Sequence, residues 1–282
     1  MPTIISWNVN GLRSNIVGGK HTSNKKAKYT SIDPETNLGE IIKNYNPDIF
    51  CFQETRCDST SALEIFKFTD YHQYFNSSKG VGARSGSRYS GTAIWSKEKP
   101  ENVLYNIPDF EDSEGRIIIA EYRDFILINT YVPNSGSNFE YRISCWNVAI
   151  KNYLSSLLDK SKSVIWSGDL NVAYTIDDTC YTKSKYNSST IAGCLKEEID
   201  DFKNILETGF VDAYRKFKNP KQTEYTWFFN KRCRELNKGM RIDYFIIDTK
   251  LAEKVLDCGV IKESGLKTTP LGSDHLAIFL KW

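Results

Sequence analysis

Short runs of β-branched and aromatic residues recur along the whole chain, and most of them end beside a carboxylate, an amide or a tyrosine. The runs are Thr3 to Val9, Asp48 to Gln53, Thr92 to Ser96, Ile117 to Tyr122, Phe125 to Val132, Val164 to Ser167, Tyr244 to Ile247 and Ala277 to Trp282. Apolar stretches of about four to eight residues with this composition read as strands. Helical periodicity appears between some of them, at Leu38 to Tyr45, Asn138 to Leu158 and Glu197 to Thr208. In the last of these Ile199, Phe202, Ile205 and Leu206 share one face, and Gly209 follows as a stop. Strands interleaved with helices over the full length predict an α/β architecture. At 282 residues the length alone suggests about two domains. However, no internal repeat and no Pro- or Gly/Ser-rich linker divides the chain. The weakest patterns lie at Ser14 to Asn37, Ser77 to Ser90, Tyr181 to Thr190 and Phe229 to Gly239.

Composition removes several function classes. The first eight residues, Met1 to Asn8, lack a basic region followed by an apolar stretch, and no run approaches the roughly 18 apolar residues of a membrane span. An intracellular protein without a membrane partner is expected. Seven cysteines, an odd number without a C-x-x-C pair, read as reduced and mostly buried thiols rather than a disulfide framework. Three scattered histidines cannot assemble a His-rich zinc site, so any catalytic metal must rest mainly on oxygen. The formal charge of +2 gives no chain-wide basic excess, so a polyanionic partner would need locally concentrated charge.

The chemistry sits where strands end. The first closes on Asn8 and Asn10, the second on Gln53 and Glu54, the fifth on Tyr131 and Asn134, and the sixth on Asp169 and Asn171. Near the C-terminus come Asp243 and the pair Asp274-His275. Residues two apart in extended chain share a face, so Asp169 projects with Asn171 and Asn8 with Asn10. Sites in α/β sheets are assembled at such ends. This collection suits phosphodiester hydrolysis with magnesium, which prefers oxygen ligands and takes only one or two carboxylates. Glu54 and Asp274 fit that role. Asp169 fits a base acting on the attacking water, while Asn171, Tyr131 and Asn8 fit donors to the phosphoryl oxygens. A cationic His275, oriented and charged by Asp243, fits a phosphate contact.

The strings W-N-V-N-G-L-R at 7–13, P-D-I-F-C-F-Q-E-T-R at 47–56, Y-S-G-T-A-I-W-S-K at 89–97, E-G-R at 114–116, N-T-Y-V-P-N at 129–134, G-D-L-N-V-A at 168–173, R-I-D-Y-F at 241–245 and L-G-S-D-H at 271–275 together resemble the exonuclease III family of apurinic/apyrimidinic endonucleases. Each string is weak alone, but they occur in family order and span nearly the whole chain. The resemblance implies a four-layered α/β sandwich and metal-dependent cleavage of duplex DNA 5′ to abasic sites in base excision repair, with magnesium or manganese. It also implies 3′-phosphodiesterase or 3′→5′ exonuclease activity on blocked 3′ ends, and a monomer. Position by position it assigns Asn8, Glu54 and Asp274 to the metal site, with Asp169, Asn171 and His275 beside them. Tyr131 becomes the phosphate-contacting tyrosine, Asp169 the water-activating aspartate, Asn171 the transition-state donor, and Asp243 with His275 the Asp–His pair. Arg116 and Asn134 become contacts to the DNA backbone. Asn10 replaces the extra aspartate of some members, leaving one carboxylate fewer.

From Lys231 to Arg241 five basic residues face one acidic one, an excess of +4 directly after the aromatic run Trp227-Phe228-Phe229. This is the local charge that the overall balance hides. In the resemblance this region forms the pocket for a flipped-out abasic sugar, with Trp227, Met240 and Ile242 as walls and Arg241 beside them. Apolar walls of this size accept a sugar without its base and exclude an intact nucleotide. Two departures bear on the grip of duplex DNA: Cys194-Leu195 follows Ala192-Gly193 in place of the family's usual residues, and Ser14 to Asn37 is longer and more polar. His21 and His72 read as structural, and Lys25-Lys26-Ala27-Lys28 as a solvated loop. Three other readings stay open: a mainly 3′→5′ exonuclease, a same-fold phosphodiesterase acting on another phosphate ester, and a non-catalytic nucleic-acid-binding protein. The site residues run from Asn8 to His275, so no cut of the chain leaves the site whole; residues 1–282 are expected to form one domain.

Overall fold

The apolar runs are continuous rather than alternating because the inner strands bury both faces. Ile4 and Ile5 are both fully buried, yet Ile4 packs among side chains of a second sheet and Ile5 among helices. This computed structural model describes the chain except residues 18–28, 80–88, 183, 188–189, 219–222 and 263–271; the Lys25–Lys28 run and His21 lie outside the described residues.

Twelve described strands form two six-stranded sheets. The first has the order β11 (Asp257–Ile261), β12 (Ala277–Lys281), β1 (Thr3–Asn8), β2 (Ile49–Gln53), β4 (Thr92–Ser96), β3 (His72–Asn76). The second has the order β5 (Asn102–Leu104), β6 (Ile117–Glu121), β7 (Phe125–Tyr131), β8 (Ser163–Asp169), β10 (Asp243–Asp248), β9 (Phe210–Asp212). Only the central pairs β1/β2 and β7/β8 are parallel. The sheets pack on each other through Ile4, Cys51, Ile94, Ile118, Leu127, Ile165, Phe245 and Ile278. The outer face of the first sheet is covered by α1 (Leu12–Val17), α2 (Asn37–Tyr45) and α3 (Ser59–Ile65), which bring Leu12, Ile16, Leu38, Ile41 and Ala62 onto Trp7, Phe52 and Trp95. The outer face of the second is covered by α5 (Asn147–Leu157) and α6 (Lys196–Leu206), through Ile150, Leu154, Phe202 and Ile205. The result is the four-layered α/β sandwich.

Three features of this packing place the site. Asn129 on β7 donates to the carbonyls of Phe52 and Ala93 at 3.1 and 2.9 Å and accepts from Gln53 at 2.7 Å, so buried amides lock the two sheets in register. At Gly168 (φ +136°) a Cβ would lie 1.9 Å from the Thr130 carbonyl, so only glycine lets β8 close on β7 immediately before Asp169. The carboxyl ends of β1, β2, β7 and β8 then open on the same side as the start of β10.

Several expectations change. The helix read from Asn138 to Leu158 is α4 (Ser135–Tyr141), a π-helical turn at Arg142–Trp146, and then α5, with Asn138 itself non-helical. The π turn buries both Arg142 and Trp146. The strands outside the apolar runs, β3, β5, β9 and β11, are the four sheet edges: β5 and β9 have three residues each, β3 is only partly buried, and β11 is buried but broken in its pattern by Asp257 and Gly259. Five short α-helices among the described residues also lie outside the helical periods of the sequence: α1, α3, α7 (Ala213–Phe217), α8 (Lys231–Glu235) and α9 (Thr249–Ala252). The seven cysteines are free thiols, but only Cys51, Cys194 and Cys258 are buried. Among the described residues no helix is long and apolar enough to cross a membrane.

Candidate active site

A cleft of about 150 Å³ opens where the strand ends meet, lined by Glu54, Tyr131, Asn134, Asp169, Asn171, Ala192, Gly193, Trp227, Met240, Ile242, Asp274 and His275. Ten of these are residues that the sequence singled out. Three of the turns that present them are backbone outliers: Asn10, Glu54 and Asn171 have φ of 45°, 48° and 51°. Asparagine enters this left-handed region at little cost, but glutamate pays about 1 kcal/mol or more. Glu54 is held there by its surroundings, since its carbonyl accepts from Gly11 at 2.8 Å while the next N–H, that of Thr55, bonds to Gly91 at 3.0 Å.

At the floor, Asp169 and Asp243 face each other as register partners of β8 and β10. The imidazole of His275 joins them, with Nδ1 2.9 Å from Asp243 Oδ2 and Nε2 3.7 Å from Asp169 Oδ2. All three side chains are buried. Burial pushes the Asp169 carboxyl up, to about 7, against the opposing pull of His275. Burial also works against a charge on His275, but Asp243, followed by Asp169, outweighs it and lifts the imidazole to about 10. His275 is therefore a cation at neutral pH, and Asp169 is a base poised near it. The imidazole is aimed by its backbone, whose N–H donates to Ser273 Oγ, itself donating to the Asn8 carbonyl.

Above this floor, Asn171 N–H donates to Asp169 Oδ1 at 3.0 Å and Asn171 Nδ2 donates to the Val132 carbonyl, which leaves one amide hydrogen for a ligand. Burial, and next Glu54, raise Tyr131 well above the ordinary phenol range against the pull of Arg116, so it remains a neutral donor. Asp274 accepts from Asn10 Nδ2 at 3.0 Å and from the indole of Trp227 at 3.1 Å. Glu54, whose Oε2 accepts from Arg56 at 2.7 Å, and Asp274 bring carboxylate oxygens to the cleft; such oxygens suit a hard divalent cation, which would displace these donors. Asp169, Asp243 and His275 also bring ligand atoms within 4.8 Å of one another, but the 2.9 Å Asp243–His275 contact already has hydrogen-bond geometry.

Asn8 has a different geometry from a metal ligand. Its Nδ2 donates to Glu54 Oε1 and Asp169 Oδ2, both at 3.0 Å, while its Oδ1 is turned away to accept from Asn10 N–H. It therefore bridges the two carboxylates as a donor. Arg116, read as a DNA contact, is 3% exposed and donates to Glu114, the Tyr131 carbonyl and the Tyr89 hydroxyl, with its guanidinium 4.5 Å from the Tyr131 ring centre. It holds the tyrosine instead of reaching outward. Arg241 is likewise turned inward: 1% exposed, it pairs with Asp178 and Asp212 at 2.6 Å each. The surface excess after the aromatic run is correspondingly smaller than the count of charges suggests. Asn134 sits at the cleft, capping α4 through Gly136 N–H and donating to Asn171 at 3.3 Å.

The apolar end of the cleft is a cluster of Ala173, Cys194, Met240 and Ile242, with Trp227 against it. Cys194, one of the departures noted in the sequence, fills the rear of this wall. Sequence reasoning missed Ala192 and Gly193 as lining residues, Thr226, whose hydroxyl accepts from the N–H groups of Ile242 and Asp243, and Arg142. The buried Arg142 guanidinium donates to the carbonyls of Pro133, Leu170 and Asn171, tying together the loops that carry Asn134 and Asn171. A lone arginine in an amphipathic helix gives no signal of this.

With this geometry in place, comparison with known proteins is direct. Residues 5–275 match the model of the Endonuclease/Exonuclease/phosphatase family. A DNA-(apurinic or apyrimidinic site) endonuclease of Dictyostelium discoideum is 34% identical over 98% of this chain and 69% of its own length. An exodeoxyribonuclease of Bacillus subtilis is 34% identical over 98% of both. The solved structure of an AP endonuclease from Archaeoglobus fulgidus superposes with a TM-score of 0.76 at 28% identity, covering 100% of this chain and 99% of that one. The chain belongs to the Endonuclease/Exonuclease/phosphatase family.

Proposed function

We propose that this protein is a DNA-repair nuclease that hydrolyses the phosphodiester 5′ to abasic sites in duplex DNA, with 3′-phosphodiesterase or 3′→5′ exonuclease activity from the same cleft, acting as one monomeric domain. The observation that carries this reading is the junction of two surfaces in one small cavity. A hydrolytic group of Asp169, His275 and Asn171 adjoins an apolar wall of Trp227, Met240 and Ile242. That wall suits a deoxyribose lacking its base. The names of the Dictyostelium and Bacillus relatives support both activities.

In this reading Asp169 takes the proton of the attacking water, and its carboxyl, lifted to about 7, is matched to the task at neutral pH. The imidazolium of His275, the amide of Asn171 and the phenol of Tyr131 donate to the phosphoryl oxygens as negative charge builds there. Asp243 keeps His275 protonated and aimed. Glu54 and Asp274 would hold magnesium, or manganese in its place, and the ion would supply positive charge to neutralise the phosphate. Asn8 fixes the spacing of Glu54 and Asp169.

The test is a duplex with a single abasic site, incubated with magnesium or with a chelator, beside Asp169→Asn and a recessed-end duplex. Metal-dependent nicking well above the variant supports the proposal. No nick above the variant overturns it, and 3′ degradation without nicking makes exonuclease the main activity.

A further inference from the structure

Phe229 is 75% exposed, the most exposed aromatic side chain among the described residues. Leaving a phenylalanine in water forgoes about 1.5–3 kcal/mol of burial. Its position is nonetheless fixed. The preceding residue, Phe228, is buried, and its N–H donates to the Asp274 carbonyl at 3.0 Å. The following residue, Asn230, caps α8 by accepting from Cys233 N–H at 2.9 Å. The ring of Phe229 meets that of Trp227 edge-on, with centroids 6.5 Å apart and planes at 75°. Trp227 lines the cleft, so Phe229 carries its aromatic wall out onto the surface. Lys231, Arg232 and Lys238 are exposed in the same loop.

An exposed aromatic on an anchored backbone, flanked by cations, is the arrangement that holds unstacked bases, with the cations on the phosphates and the ring on a base face. We propose that Phe229 is a stacking platform for the base next to the cleaved phosphate, the one that loses its stacking partner where a base is missing or a strand ends. The inference rests on the reading of the cleft as a DNA-cleaving site and adds a residue that selects such targets over intact duplex. Phe229 does not line the hydrolytic floor, so it acts on DNA binding and leaves the chemical step alone.

The test compares wild type, Phe229→Ala and Phe229→Trp on an abasic duplex carrying 2-aminopurine beside the site, and on bis(p-nitrophenyl) phosphate, a diester with no base. Stacking predicts that Phe229→Ala raises KM for the abasic duplex about tenfold with kcat within about twofold, that Phe229→Trp restores it, and that all three hydrolyse the aryl ester alike. It also predicts that binding in chelator quenches 2-aminopurine with wild type and Phe229→Trp but not with Phe229→Ala. An unchanged KM in Phe229→Ala, or equal quenching by all three proteins, overturns the inference. If wild type binds but never nicks the duplex, the proposed function fails, and the quenching comparison still decides the role of Phe229.

Discussion

Two clusters of buried charge sit two residues apart in the chain, at Arg241 and at Asp243, and they have opposite designs. Around Arg241 the charges balance: Asp178 and Asp212 meet Arg241 and Arg215, and the guanidinium of Arg241 also lies 4.3 Å from the ring centre of Tyr244. Backbone and hydroxyl donors of Thr175 complete Asp178. Around Asp243 two carboxylates share one imidazole, and Asp169 faces an open cleft. Burial of charge therefore does not mark function by itself. The charge-balanced cluster is a rivet between β9, β10 and the 175–178 turn, whereas the unbalanced one opens on the cleft.

Substitutions can break this comparison. The largest effect is expected from Asp169→Asn, which should lower kcat for abasic-site nicking by about a thousandfold, while thermal denaturation gives a Tm at or above that of wild type. A clear loss of Tm would mean that the cleft cluster is structural after all. Arg241→Met should do the reverse. Removing one partner of a buried network leaves Asp178 and Asp212 uncompensated, at about 3–5 kcal/mol of stability. Urea unfolding should show that loss, and the folded fraction should keep a near-normal kcat.

The pH dependence sharpens the contrast. Burial alone would raise Asp178, but Arg241 and then Arg215 hold it below the usual carboxylate range. Such a group gives stability that is full above its unfolded value near 4 and is lost as pH falls through its folded value. Asp169, lifted to about 7, has the opposite sign: its contribution is full below about pH 4 and is lost as pH rises to 7. In metal-free protein, Asp178→Asn should therefore lower Tm at neutral pH and Asp169→Asn should raise it, both differences shrinking in acid. Differences of the same sign would remove the distinction. The smallest effect is expected at the cleft wall. Gly193 has φ +83°, and a Cβ there would lie 3.1 Å from Met240 Cε. Gly193→Ala should cost about 1 kcal/mol and raise KM for abasic DNA with kcat nearly unchanged.

Much of this was legible in the sequence because the inner strands are buried on both faces and carry apolar runs that end abruptly in polar residues. The edges β3, β5, β9 and β11 were not, since a strand such as His72–Asn76 buries only part of one face and its composition matches that of a loop. The cleft was legible as a set of residue types, with Glu54, Asp169, Asn171, Asp274 and His275 all brought to it. The inward turn of Arg116 and Arg241 was not legible, for one reason. A basic residue beside a predicted site reads as a phosphate contact, and nothing local reveals that Tyr131 or Asp178 and Asp212 already occupy it.

Periodicity and burial, which are written into neighbouring residues, were enough for the α/β class, the inner strands and the chemical kinds of group at their ends, while the four-layered sandwich followed only from the family resemblance. Tertiary structure alone decided which way each group points: that Asn8 offers nitrogen rather than oxygen, that Arg241 is a rivet, and that Phe229 is left in water. These outcomes depend on partners such as Asp169, 161 positions from Asn8, and Asp178, 63 from Arg241. Hydrogen bonds and ion pairs are settled by who stands within about 3 Å, which chain order does not encode.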